Sequence, residues 1–401
     1  MKEIKGGITA VQGFKTAGVT CGIKKNDKKD LALIYSTVPS VAAGVFTTNK
    51  VFSPSVQLCR ENILSPVARA VIANSGNANA CVGNQGYLNA KKIIQLTAEK
   101  LKIRPEEVLI ASTGVIGEPL PMDKIVPGIP DLVNALDEDG SEEAAEGILT
   151  TDTFTKTVVV EIDVNGATVR LGGIAKGAGM IHPNMATMLA FITTDAAIEK
   201  ETLQKLLKES TNKSFNMITV EGDTSTNDTV IILANSLAGN EIITKESSSS
   251  KIFSEALNFV TSKLARMIVK DGEGATKLIE VNIKGAETFH DAKAIAFTIA
   301  RSSLVKTAFF GEDANWGRII AAAGTAGMAF DSDKADLFFG QEQVMKKGAY
   351  CGEGRENEIN KIIKEREVTL TLNLNSGIEE ARVLTCDLSL DYVKINAEYR
   401  S

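Results

Sequence analysis

Gly172-Gly173-Ile174-Ala175-Lys176-Gly177-Ala178-Gly179-Met180-Ile181-His182-Pro183-Asn184-Met185-Ala186-Thr187 is the stretch on which the reading of this chain turns. Glycine and alanine crowd the positions before Met180, so backbone can approach backbone closely, and Pro183 fixes one φ shortly ahead of an Ala-Thr bond. The combination reads as a self-cleavage site. If the Thr187 hydroxyl attacks the Ala186 carbonyl and the resulting ester hydrolyses, the chain parts there and Thr187 gains a free α-amine. Such an amine has a pKa of about 8 in a short peptide, so near neutral pH a fraction of it is free to act as base for the hydroxyl of its own residue.

Outward from this stretch, residues 158–163 and 167–171 read as strands flanking Val164-Asn165-Gly166, where the Asn-Gly pair calls for a hairpin. The hairpin delivers the glycine-rich segment at the end of a strand. Residues 188–192 form a buried apolar run directly after the scissile bond, which would hold the new N-terminus rigidly. Upstream, 31–35, 70–73 and 108–111 are strand candidates, and 85–101 places Tyr87, Ala90, Ile94, Ala98 and Leu101 on one helical face. Downstream, Asp195 is a plausible cap for a helix through about 209, 230–233 is a strand, and Phe253, Leu257, Val260, Leu264 and Ile268 stripe a helix over 247–268. Strand patterns at 278–283, 368–374 and 381–387 and a small-residue helix at 316–326 complete a mixed α/β pattern. The soft spots are 235–250 and 346–367.

A chain of 401 residues exceeds one typical core, and two or three domains or lobes are expected. Its net charge of -6 offers no field for nucleic acid or an anionic membrane. No apolar run approaches the roughly 20 residues of a membrane span, and residues 1–15 show no secretory core, so a cytoplasmic enzyme acting on small molecules is the expectation. Cys21, Cys59, Cys81, Cys351 and Cys386 are scattered and read as reduced thiols. With only His182 and His290, neither a zinc site nor a histidine-based hydrolase is favoured, and no metal is expected. His182, with no acid near it in sequence, reads as a packed or capping residue.

Five further runs carry polar chemistry. Ala111-Ser112-Thr113-Gly114-Val115-Ile116-Gly117 follows a strand and offers a hydroxyl beside exposed amides, the donors an oxyanion needs, although a simple glycine turn would look the same. Asp271-Gly272-Glu273-Gly274-Ala275-Thr276-Lys277 lacks the spacing of a phosphate loop; its glutamate suits an ammonium group, or the run is a solvated turn. The runs at 221–229 and 311–318 suggest a hard-metal or polar-ligand site, or equally Asx turns and helix caps, and neither follows an EF-hand pattern. Asn74-Ser75-Gly76-Asn77-Ala78-Asn79-Ala80 is a loop after a strand, structural or close to the site.

Taken together, these residues resemble the arginine-biosynthesis ornithine acetyltransferases, the glutamate N-acetyltransferase family. The likeness rests on the 176–189 run and extends over 73–79, 112–117, 150–153, 221–229, 272–277, 312–318 and 395–401, thus the whole chain. It implies a precursor that cleaves itself between Ala186 and Thr187 into an α chain (1–186) and a β chain (187–401) forming one intertwined unit. The implied fold is an α/β layered sandwich with inner β-sheets and outer helices, similar to the aminopeptidases that use an N-terminal nucleophile. Thr187 would take acetyl from N-acetylornithine, release ornithine and pass the acetyl to glutamate, a ping-pong reaction through an acetyl-enzyme.

By the same resemblance, Thr113 and Gly114 form the oxyanion hole, and Thr153, Lys176, Thr187, Glu273, Asn396 and Ser401 line the substrate site. Lys176 suits a substrate α-carboxylate and Glu273 an amino group, so a charged amino acid would be held at both ends. Ser401 stands where threonine is also familiar, and the hydroxyl is kept. No bound cofactor is implied; acetyl-CoA is a second candidate donor, on which the sequence does not decide. An α2β2 heterotetramer of cleaved chains, or a larger assembly, is expected. A related self-cleaving aminopeptidase or amidase would give the acyl group to water instead, and a non-enzymatic amino-acid-binding protein would have no need of Ala186-Thr187.

Overall fold

A computed structural model describes residues 1–25, 27–182 and 188–398, and the chain divides into two compact units. The first comprises residues 1–216 with 223–268, the second 217–222 with 269–400.

The first unit contains, in order, β1 (Lys2–Glu3), β2 (Phe14–Val19), β3 (Leu31–Phe46), α1 (Pro54–Asn62), β4 (Ala68–Asn77), α2 (Gly83–Leu101), β5 (Val108–Val115), α3 (Met122–Asn134), α4 (Ser141–Gly147), β6 (Lys156–Val164), β7 (Ala167–Lys176), β8 (Leu189–Thr194), α5 (Lys200–Lys213), β9 (Thr229–Ala234) and most of α6 (Ser249–Lys270). Its strands run in the order β1-β6-β7-β8-β9-β3-β4-β5, with β2 also on β3. Strand β3 is the pivot. Its start pairs antiparallel with β2 and β4, its end (Val41 to Phe46) pairs antiparallel with β9, and the register shifts between Tyr35 and Ser40. One long strand therefore serves two β layers that close on each other. Ile34, Val71 and Leu109 from one layer share a buried core with Ile174, Phe191 and Ile231 from the other.

Helices cover the outside. Ile93 and Ile94 of α2 and Ile125 and Ile129 of α3 pack with Leu33, Ile72 and Ile110 on the outer face of β3, β4 and β5. Each such side chain contributes about 1.5–3 kcal/mol on burial. Beyond the other layer, Gln204 of α5 exchanges two hydrogen bonds with the backbone of Gly44 on β3, 3.1 and 3.0 Å, and Ser210 of α5 meets Thr261 of α6 at 2.7 Å. Inner β layers with outer helices are the expected architecture.

The β6–β7 hairpin forms at the expected place: Val164 pairs with Ala167, and Asn165 and Gly166 take φ of +54° and +88°. Both positive angles belong to the tight turn that an Asn-Gly pair favours.

The second unit holds β10 (Leu278–Ala286), α7 (Phe289–Arg301), α8 (Ser303–Phe310), α9 (Trp316–Gly324), β11 (Asp336–Phe339), β12 (Glu342–Lys346), β13 (Ala349–Tyr350), α10 (Glu356–Lys364), β14 (Glu367–Asn373), β15 (Glu379–Cys386) and α11 (Leu390–Glu398). Its sheet runs β13-β12-β11-β14-β10-β15, with β10 parallel to β14 and antiparallel to β15. Ile279, Val281 and Ile283 of β10 pack against Ile295 and Ile299 of α7 and Phe309 of α8.

Three local expectations change. Asp195 caps no helix: α5 starts at Lys200, and the Asp195 carboxylate instead accepts the Arg170 N–H at 2.8 Å, tying the end of β8 to β7. The charged segment 346–367 carries α10, whose Ile359 and Ile363 are buried; alternating charge hid two apolar positions one helical turn apart. Strands β4 and β5 run on through Asn77 and Val115, so the polar runs expected as loops are largely strand ends. Among the described residues no helix is long and apolar enough to cross a membrane.

Candidate active site

The end of β5 is held by a buried polar lattice. Ser112 donates to Asn74 Oδ1 at 2.7 Å and shares a 2.8 Å bond with the Ser55 hydroxyl. Asn227 Nδ2 donates to the Ser112 carbonyl at 2.8 Å and to the Ala78 carbonyl at 2.6 Å, and Asn74 Nδ2 to the Asn77 carbonyl at 2.8 Å. Buried amides satisfied in this way fix a backbone rigidly. They hold Thr113, which is itself buried, and Gly114, whose φ is +135°. A Cβ at 114 would lie 2.3 Å from the carbonyl carbon of Gly76 and 2.4 Å from the nitrogen of Asn77, so only glycine fits.

Lys176, the last residue of β7, points its ammonium into the same region while only 2 % exposed. Its Nζ donates to Thr150 Oγ1 at 2.8 Å and to Thr113 Oγ1 at 3.4 Å, and lies 3.9 Å from Asp152 Oδ2. Asp152 also accepts from Lys156 Nζ at 2.7 Å, from the Gly177 N–H at 2.7 Å and from the Thr150 N–H at 3.0 Å. Burial alone would raise the Asp152 pKa, but the two ammonium groups and the amide donors outweigh it and hold the carboxyl well below its usual range. Two buried lysines thus share one buried carboxylate. Lys24 adds to the field: burial lowers its pKa to about 8 against the upward pull of Asp30, with Lys176 also pushing down. Its loop is pinned by Asp30, which accepts from the backbone N–H groups of Cys21, Gly22, Ile23 and Lys24 at 2.6–3.0 Å.

Ala186 and Thr187 lie outside the described residues, but both flanks of that segment are described. Lys176 pairs with Leu189 across β7 and β8, and Leu189 pairs with Thr229 across the parallel β8 and β9. Just ahead of these strands, the Met188 N–H donates to Asp228 Oδ1 at 2.9 Å and the Thr229 N–H donates to the Met188 carbonyl at 3.2 Å. Residues on either side of the expected cleavage therefore sit in adjacent strands of one sheet, which would keep the two fragments together.

In the second unit, Asn396 Nδ2 donates to Glu273 Oε2 at 2.9 Å, bringing those two expected site residues together. The Glu273 loop is clamped by residues assigned no role from the sequence: Asp387 accepts from the Thr276 and Lys277 N–H groups at 2.8 and 2.9 Å, and Ser389 donates to the Gly274 carbonyl at 2.6 Å. Gly274, at φ +67°, has no room for a Cβ, which would meet the Tyr392 nitrogen at 2.4 Å. Thr153 is exposed, directly after Asp152. Ser401 lies outside the described residues.

The structure thus joins Thr113 with Lys176 in one unit and Glu273 with Asn396 in the other. Asp152, Asp228 and Lys24 went unassigned: Asp228 meets Met188 and Asp152 meets Lys176 only through the pairing of strands, while Lys24 and the Asp152–Lys156 pair are local contacts that the sequence did not single out. Asp152 and Asp228 nonetheless stood inside polar runs already singled out. Among the described residues no cluster of three or more His, Cys, Asp or Glu side chains could hold a metal ion.

Residues 15–401 match the profile of the ArgJ family. The chain is 51% identical over 403 residues to the arginine biosynthesis bifunctional protein ArgJ of Symbiobacterium thermophilum, and 48% identical over 405 residues to that of Caldanaerobacter subterraneus subsp. tengcongensis, with all of each chain covered. Among solved structures, the ArgJ protein of Bacillus halodurans is 41% identical over 46% of this chain and 97% of that one, with a TM-score of 0.44. The ornithine acetyltransferase of Mycobacterium tuberculosis, solved with ornithine, is 39% identical over 45% of this chain and 97% of that one, with a TM-score of 0.44.

Proposed function

The chain belongs to the ArgJ family, and from that premise we propose that it transfers acetyl from N-acetylornithine to glutamate, giving ornithine and N-acetylglutamate, after cleaving itself between Ala186 and Thr187. The observation that carries the reading is relatedness along the entire chain, at 51% identity with a named arginine-biosynthesis relative.

The chemistry follows from residue types and positions. Freed by cleavage, the Thr187 amine takes the proton of its own hydroxyl as Oγ attacks the acetyl carbonyl. The oxyanion that forms is met by Thr113 and Gly114, held by the Asn74–Ser112–Asn227 lattice so that no reorganisation is required during reaction. Lys176 offers its buried ammonium to the substrate α-carboxylate, while Glu273 with Asn396 receives an ammonium group. Thr153 and Ser401 complete the substrate contacts. Collapse of the intermediate expels ornithine, whose amine takes up a proton, and leaves acetyl on Thr187 Oγ. The glutamate amine then attacks that ester and regenerates the hydroxyl.

The curated relatives are called bifunctional, which favours a second reading: acetyl-CoA serves as an alternative donor to the same Thr187, entering as substrate and not as a resident cofactor. The working species is an α2β2 heterotetramer of the fragments or a multiple of it. Formation of N-acetylglutamate from glutamate with N-acetylornithine alone, and separately with acetyl-CoA alone, tests both readings. Product from N-acetylornithine is expected. Failure with both donors, or release of acetate to water without transfer, would overturn the assignment.

A further inference from the structure

Asp228 is fully buried and stands immediately before β9, beside Met188 immediately before β8. The two strands are parallel with Leu189 opposite Thr229, so Asp228 and Met188 occupy matching positions one step before the ladder begins. Carboxyl oxygen Oδ1 accepts the Met188 N–H at 2.9 Å, while the Asp228 carbonyl accepts the Thr47 N–H at 2.9 Å where β3 leaves the sheet. Its own backbone is therefore fixed, and it passes that rigidity on. The carboxyl is enclosed with the Thr47 side chain beside it.

We propose that Asp228 is the positioning residue of the nucleophile: by gripping the Met188 N–H it locks the peptide unit joining residues 187 and 188, and so aims Thr187 for self-cleavage and for acetyl transfer. The proposal rests on Thr187 being the nucleophile. Met188 nitrogen is bonded directly to the Thr187 carbonyl carbon, so one hydrogen bond constrains rotation of the residue that reacts. A shift of about 1 Å in such a group is enough to cost on the order of 100-fold in rate. Burial pushes the Asp228 pKa well above the ordinary carboxyl range, and the Met188 N–H, the Lys176 charge and the Thr47 hydroxyl pull it down by less. The carboxyl presents an acceptor to that N–H in either protonation state.

The test compares Asp228→Leu, which loses the acceptor and adds bulk, with Asp228→Asn, which is nearly isosteric and keeps a neutral acceptor at the Oδ1 position. Intact mass follows self-cleavage, steady-state assays with N-acetylornithine and glutamate give kcat and KM, and thermal melts monitor folding. Asp228→Leu should slow cleavage and lower kcat about 100-fold with KM within a few-fold of wild type, and Asp228→Asn should restore both rates to within about 5-fold. A folded Asp228→Leu protein with wild-type cleavage and kcat would overturn the proposal. So would a folded Asp228→Asn protein as impaired as a Thr187→Ala variant, since that would make the ionised carboxylate the working group. If Asp228→Leu fails to fold, Asp228→Asn alone decides between these outcomes. Wild-type protein that neither cleaves nor transfers acetyl would instead sink the reading of Thr187 itself.

Discussion

Lys176 Nζ lies 3.4 Å from Thr113 Oγ1, with both side chains buried, so the residue assigned to the substrate carboxylate touches the residue assigned to the oxyanion. Their contributions should therefore not add. Thr113→Ala should lower kcat by about 100-fold, the usual effect of losing one oxyanion donor, and Lys176→Met should lower kcat/KM by at least as much. The double variant should fall short of the summed losses by about 1 kcal/mol or more. A strictly additive cycle from steady-state kinetics would separate the two roles.

Gly114 offers a prediction on stability. A methyl group there would have to occupy space already filled by the backbone of Gly76 and Asn77, at a φ that side chains rarely adopt. Gly114→Ala should cost about 2–4 kcal/mol, read as a lower denaturation midpoint, together with loss of transfer activity. An unchanged midpoint would show that β4 and β5 can part without penalty.

The Asp152 carboxylate predicts a pH dependence. Its folded pKa lies below the unfolded value of about 3.8, so its contribution to stability is fully present above that range and fades as pH falls through it toward the folded value. Asp152→Asn leaves Lys156 and Lys176 buried without their shared counter-charge, at a cost of about 3–5 kcal/mol near neutral pH. Denaturation at pH 7, 5 and 3.5 should show the gap between variant and wild type constant at first and narrowing below about pH 5. A gap that widens with acid would reverse the sign of the argument.

Glu273 belongs to substrate binding and not to self-cleavage in this account. Glu273→Gln keeps the size of the side chain and can keep its Asn396 contact while removing the charge. KM for N-acetylornithine should rise about 10-fold or more, with cleavage of the precursor as complete as in wild type. Loss of cleavage in this variant would give Glu273 a different place in the reaction.

Local patterning carried much of the fold into view. The Asn165-Gly166 hairpin, the apolar runs of β8 and β9 and the stripe of α6 follow from periodicity and turn chemistry, which act over a few residues. What stayed hidden was long-range. Nothing near Asp195 announces that Arg170 will claim its carboxylate, and nothing near Asp152 and its neighbour Lys156 announces that Lys176 will join them from the end of β7. The same holds for the site. Thr113, Lys176, Glu273 and Asn396 were named through the family resemblance alone, whereas the place of Asp228 follows only from the pairing of β8 with β9.

The central claim is that Thr187 both breaks the chain and carries the acetyl group. Intact-mass and peptide mapping of the purified protein, before and after incubation with N-acetylornithine as sole donor, tests it most directly. Wild type should give two fragments, 1–186 and 187–401, with acetyl appearing on Thr187 of the second and disappearing when glutamate is added; Thr187→Ala should remain one unmodified chain. A Thr187→Ala protein that still splits and turns over, or a wild-type acetyl group found on another residue, would contradict the account.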